Sequence, residues 1–110
     1  MDINISEENG CQVLALSGRM DALTVKAFDE AAADLAGRAG VKILVDLSQL
    51  EFISSAGLRG ILNLAKAAGK NRIPLGFCCL TPMVNEVFTI SNFQSIMKVF
   101  PDKAAALASL

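Results

Sequence analysis

The sequence has no histidine, no tryptophan and no tyrosine, and its six phenylalanines are its only aromatic residues. Each absence removes a class of function. Without histidine the chain lacks the commonest general base and the commonest zinc ligand, so a histidine-dependent hydrolytic triad within it is excluded. Without tyrosine or tryptophan it lacks the best platforms for stacking nucleic-acid bases. Its ten lysines and arginines are scattered and set against eleven acidic residues, a formal charge of -1, so the electrostatic footprint of a DNA or RNA binder is missing. No apolar run approaches the roughly 18 residues of a membrane span, and the opening MDINISEENG shows neither a basic leader nor a signal-peptide core. A soluble, cytoplasmic protein without membrane insertion is expected.

Cysteine is scarce too. Cys78 and Cys79 are adjacent in an apolar run, where strand alternation sends them to opposite faces, and Cys11 is far away in sequence. They read as buried small hydrophobes, with no metal or cofactor called for.

What is present is a chain of 110 residues, 53% apolar, enough for one core and one domain, residues 1–110. Short alternation at Asp2–Ser6, a turn at Asn9-Gly10 and a strand at Val13–Leu16 closed by Gly18 form a hairpin. Thr24 can cap a helix with Phe28, Ala31, Ala32 and Leu35 at helical spacing, ended by Gly37 and Gly40. VKILVDL, Val41–Leu47, is a nearly continuous apolar run and the expected central strand. A second helix from Leu58 buries Leu58, Ile61, Leu62 and Ala65 and stops at Gly69–Asn71. A strand in IPLGFCCL precedes a helix started by Thr81-Pro82, with Val84, Val87 and Phe88 inward, ending near Ser91-Asn92. A short strand at Ile96–Phe100 and a last helix from Pro101-Asp102 to Leu110, with Ala104, Leu107 and Ala108 inward, complete the chain. The order β-β-α-β-α-β-α-β-α implies an α/β fold. Its sheet has an antiparallel edge hairpin and is otherwise mostly parallel, with the main helices largely on one face.

The polar knot Phe52–Gly57 lies between the central strand and the second helix. With the strand at Val41–Leu47, Ser54, Ser55 and Ala56 fall in a loop at the helix N-terminus, where free N–H groups and the helix dipole favour negative charge. Two readings stand: a helix cap from Ser54 or Ser55, with Gly57 allowing close packing, or a site that receives a phosphate. A serine nucleophile fails for want of the G-x-S-x-G spacing and of a histidine, and the phosphate-binding G-x-x-x-x-G-K-[ST] pattern is not written here.

Two separated motifs carry a resemblance. VDLSQLEFISSAGLRGILNLAKAAGK, Val45–Lys70, resembles the signature of the STAS domain, specifically the stand-alone anti-sigma factor antagonists. LSGRMDALT, Leu16–Thr24, resembles the second motif of that family, and Pro82–Leu107 resembles its ending. The resemblance implies a sheet with helices on one face and a non-enzymatic regulator in a bacterial partner-switching system. The implied partners are a GHKL-type serine kinase that is also the anti-sigma factor, and a metal-dependent serine phosphatase. Matching the family's D-S-S/T-G-L onto Ser54-Ser55-Ala56-Gly57-Leu58 makes Ser55 the phosphoacceptor, with Ser54 as the alternative. Ser54 stands where the family often has Asp, and Ala56 where it has Ser or Thr.

The same matching gives Asp21 a place on the partner surface, against a reading as a turn or cap residue, with Gly18 supporting that loop. Asp46, at the C-terminal end of the central strand, either holds the serine loop or merely forms a strand-end turn. Arg59, Asn63, Lys66 and Lys70 are partner contacts or a solvated helix face. The chain is expected to act as a monomer. A different functional class is also open, a stand-alone STAS subunit of a membrane transport complex of the phospholipid-transport type. A ligand-binding module finds no aromatic-lined cavity signal.

Overall fold

Asn9 and Gly10 take positive φ angles of 51° and 79°, as a two-residue turn between right-twisted strands requires. In the computed structural model, which describes residues 1–110, they join β1 (Asp2–Glu8) to β2 (Cys11–Met20) in antiparallel register, Glu8 opposite Cys11 and Asp2 opposite Ser17. The chain continues through α1 (Val25–Ala36), β3 (Ile43–Ile53), α2 (Ser55–Lys70), β4 (Leu75–Cys78) and α3 (Pro82–Ile90). A 3-10 turn (Phe93–Ser95), β5 (Lys98–Phe100) and α4 (Lys103–Ser109) follow. The strands lie in the order β1-β2-β3-β4-β5, parallel beyond the hairpin. This is the mixed sheet that the element order implies.

Alternation along the parallel strands divides the interior. Leu14, Leu16, Ile43, Val45, Leu47 and Phe77 lie in the main core, packed with Phe28 and Leu35 of α1, Ile61 and Leu64 of α2, and Val84 and Phe88 of α3. Val13, Leu44 and Cys78 form a small second cluster beneath Ala106 of α4. The first three helices therefore share one face and α4 covers the other. On α4 the inward residue is Ala106; Leu107 is half-buried and Ala104 and Ala108 are exposed, which corrects the expected face. The helix is docked by the close approach of Ala106, flanked by Leu107 and Leu110.

The largest departure is β3, which runs past Leu47 to Ile53. Two register shifts against β2, between Ala15 and Ser17 and between Gly18 and Arg19, each insert one extra residue on the β3 side. The bulges replace the period of two by a period of three, so that Leu47, Leu50 and Ile53 all reach the core. Burying a side chain of that kind stabilises by about 1.5–3 kcal/mol, which the bulged strand gains and a loop would forfeit. The expected serine loop is therefore absent: strand passes to helix through one residue, Ser54. Likewise β2 is not closed by Gly18, which takes φ +93° at the second bulge, a conformation that favours glycine. The strand continues to Met20.

Two further positions differ or agree instructively. Asn92 adopts the left-handed conformation after α3 (φ 59°), as the sequence suggests. Cys79, just past the end of β4, also adopts it (φ 62°), so the alternation that separates adjacent strand residues does not apply to Cys78 and Cys79.

Candidate functional site

The carboxyl ends of β2 and β3 lie side by side, the usual place for a site in an open parallel sheet. They are joined directly: the Ser54 N–H donates to the Met20 carbonyl at 2.9 Å. Gly57 sits on the same junction. A Cβ there would lie 2.8 Å from the Met20 carbonyl oxygen and 2.8 Å from Ile53 Cγ1, so only glycine lets the first turn of α2 rest on the end of β2.

The two serines divide the roles left open by the sequence. Ser54 is the N-cap, with extended backbone (φ -94°, ψ 178°), and its hydroxyl accepts from the Gly57 N–H at 3.3 Å. Ser55 is the first residue of α2; it is exposed, and its hydroxyl has no partner in the chain. The N–H groups of Ser55 and Ala56 likewise find no acceptor in the chain, and the first turn holds no acidic residue. The helix therefore presents free donors and the positive end of its dipole beside a free hydroxyl.

Asp21 organises the facing turn. Its carboxylate accepts from the Leu23 N–H at 3.0 Å and the Thr24 N–H at 3.2 Å, while Thr24 Oγ1 accepts from the Asp21 N–H at 2.9 Å and donates to the Arg19 carbonyl at 2.8 Å. Thr24 itself makes no side-chain cap bond; the reciprocal pair with Asp21 starts α1. Arg19 lies 4.0 Å from the Asp21 carboxylate and 4.1 Å above the ring of Phe52, a cation–π contact between the ends of β2 and β3.

The Leu23 N–H, above all, holds the Asp21 carboxyl below its ordinary range, with Thr24 and the Arg19 charge adding and desolvation opposing. A carboxyl whose folded pKa is lowered adds stability above its unfolded pKa, and loses it as pH falls through the folded value. Asp21→Asn is therefore expected to be less stable than the parent at neutral pH, with the gap closing as pH is lowered through and below the ordinary aspartate range. Urea unfolding of both proteins across that range checks it; a gap independent of pH would contradict it.

The remaining positions fall into two groups. Ala56 and Leu58 are half-buried, and Arg59, Asn63, Lys66 and Lys70 are exposed along α2, so these residues and the Asp21 turn lie at one end of the molecule and along one helix. Asp46 does not join them. It lies in the middle of β3, its carboxylate accepting from the Ser48 N–H at 2.9 Å and facing Lys103 Nζ at 3.8 Å. It serves the first bulge, where the extra residue frees that N–H, and touches neither Ser54 nor Ser55.

Two further residues, Leu23 and Arg19, stand in or beside the Asp21 turn. Leu23 is 92% exposed at the tip of the Asp21 turn. Arg19 is hidden in the sequence because Phe52 meets it only through the β2–β3 register.

A model of the STAS domain family matches residues 2–106. BtrV of Bordetella bronchiseptica, which is named as an anti-sigma factor antagonist, is 32% identical over 109 residues, covering 99% of this chain and 94% of its own. An anti-sigma factor antagonist from Mycobacterium paratuberculosis has the same fold, with a TM-score of 0.90 at 21% identity over 98% of this chain and 92% of that one. The Bacillus cell fate determinant SpoIIAA, solved in its phosphorylated form, matches with a TM-score of 0.73 at 17% identity over 94% of this chain and 96% of its own.

Proposed function

The chain belongs to the STAS domain family, and on that premise we propose that it acts as a single STAS domain, an anti-sigma factor antagonist in a bacterial partner-switching system. It is a non-enzymatic regulator. With Ser55 bare, it engages a GHKL-type serine kinase that is also the anti-sigma factor, and so frees that protein's client. Phosphorylation of Ser55 ends the contact, and a metal-dependent serine phosphatase restores it. The chain works as a monomer in the cytoplasm; no helix is long and apolar enough to cross a membrane.

The observation that carries this reading is the division between the two serines. Ser54 is occupied as the cap, whereas Ser55 offers an exposed hydroxyl at the first position of α2, beside unpaired N–H donors. A phosphate there is accessible to an enzyme and stabilised by the helix end. The name of the Bordetella relative supports the partner class, and the phosphorylated Bacillus neighbour supports the chemistry. The partner surface combines the Asp21 turn, including Leu23, with the α2 face of Leu58, Arg59, Asn63 and Lys66.

Client release tests the reading. The unphosphorylated chain is added to a preformed complex of the cognate anti-sigma factor with its client, and free client is followed by size-exclusion chromatography. Stoichiometric release is expected; a complex that stays intact at saturating chain would contradict it.

A further inference from the structure

On the sheet face opposite α1–α3, and away from the serine site, two thiols and a carboxylate converge. Asp46 of β3 stands opposite Cys78 of β4 in the parallel register. Cys79 follows Cys78 in the left-handed conformation (φ 62°), and with this turn one ligand atom from each of Asp46, Cys78 and Cys79 lies within 4.8 Å of the others. A strand continued through Cys79 would have sent its thiol to the other face. Cys78 is fully buried, Asp46 is 9% exposed and Cys79 is half-buried, so the cluster is enclosed but has a way in beside Cys79.

We infer that Asp46, Cys78 and Cys79 form a binding site for a thiophilic divalent d10 cation such as Zn2+ or Cd2+. Two soft thiolates and one carboxylate are a donor set these ions accept, with a fourth position left to water. Tetrahedral coordination puts ligand atoms about 3.5–3.8 Å apart, so the site closes by a modest rotation of the half-buried Cys79 side chain. Binding releases the two thiol protons to solvent as the sulfurs become ligands.

The one cation already present does not block the site. Lys103 Nζ is 3.8 Å from Asp46 Oδ2 but closer, at 3.1 Å, to Glu8 Oε2. The lysine therefore stays paired when Asp46 turns to a metal. Burial, followed by Cys79 and Asp46, pushes the Cys78 thiol above its ordinary range. A bound ion works against this, because its own charge deprotonates a coordinating thiol.

The test is a Cd2+ titration of the full chain, kept reduced without a competing thiol, read by the thiolate-to-cadmium absorbance and by native mass spectrometry, with Zn2+ as the competing ion. One ion per chain is expected, with affinity rising with pH and displacement by Zn2+. Binding weakens at least tenfold in Cys78→Ser and in Cys79→Ser, weakens in Asp46→Asn and is unchanged in Cys11→Ser. Cys79→Gly separates binding from folding, because glycine suits the left-handed backbone: thermal stability is kept or raised while the ion is lost. No saturable one-to-one binding would overturn the site. Undiminished binding in a folded Cys79→Gly, or equal loss in Cys11→Ser, would also overturn it.

Discussion

Ser55→Asp is expected to change two measurements in opposite directions, stabilising the free protein and weakening its complex with the kinase. The first effect comes from position. Ser55 opens α2, whose first turn carries no acidic residue and whose Ser55 and Ala56 N–H groups are unpaired. A negative charge there is worth about 0.3–1 kcal/mol, visible as a higher midpoint in urea. The second comes from the interface. Ser55 is followed by small or apolar residues, Ala56, Gly57 and Leu58, and a charge pressed against such a contact must be stripped of water. The expected loss is at least tenfold in Kd, about 1.4 kcal/mol. Phosphate, with about -1.5 to -2 charges, exceeds it. Ser55→Ala, by contrast, should bind within about twofold of the parent, the usual scale of an exposed substitution. Isothermal titration against the kinase, alongside urea unfolding, reads both signs; equal affinity of the Ala and Asp variants would defeat the switch.

Within α2, Gly→Ala substitution is expected to change sign along the helix. At Gly57 the new methyl would meet the Met20 carbonyl and Ile53 Cγ1, both at 2.8 Å. The carbonyl is the acceptor of the Ser54 N–H, so it cannot yield without loosening the joint between β2 and α2. Overpacking of this kind costs about 1–3 kcal/mol, more than the roughly 1 kcal/mol that alanine returns over glycine in a helix. At Gly69 nothing lies within 4 Å of the added methyl, and only the return remains. Gly57→Ala should therefore lower the urea midpoint and weaken kinase binding, because the Asp21 turn and Ser55 lose their common anchor. Gly69→Ala should raise the midpoint and leave binding alone. A Gly57→Ala protein as stable as Gly69→Ala would show that the close contact is unimportant.

The parts of this architecture that were legible in the sequence are those set by local pattern. The Asn9-Gly10 turn, Pro82 opening α3, Asn92 ending it and the apolar run of β3 all follow from backbone preference or period. The serine knot was recognisable as a helix start with Ser54 or Ser55 as the cap. What was hidden depends on register. The two bulges turn LSQLEFI into a period-three strand that matches no simple template, so the local pattern ends the central strand at Leu47 and puts Asp46 at its tip. The same register brings Arg19 over Phe52 and Asp46 opposite Cys78, pairings that no sequence spacing announces. Cys79 escaped for another reason: a left-handed backbone at a non-glycine residue is set by its surroundings, here the Cys79 N–H reaching the Phe100 carbonyl at 3.3 Å, and not by its own preference.

The proposed division of roles gives Ser55 the switch and Ser54 the cap. It is tested most directly by intact-mass and tandem mass spectrometry of the chain after incubation with ATP and its cognate GHKL-type kinase, beside Ser54→Ala and Ser55→Ala. Ser54→Ala loses a cap worth about 1 kcal/mol but keeps its acceptor hydroxyl. One added phosphate is expected on the parent and on Ser54→Ala, located at Ser55, and none on Ser55→Ala. A phosphate that persists in Ser55→Ala, or none on the parent with an active kinase that binds it, would contradict it.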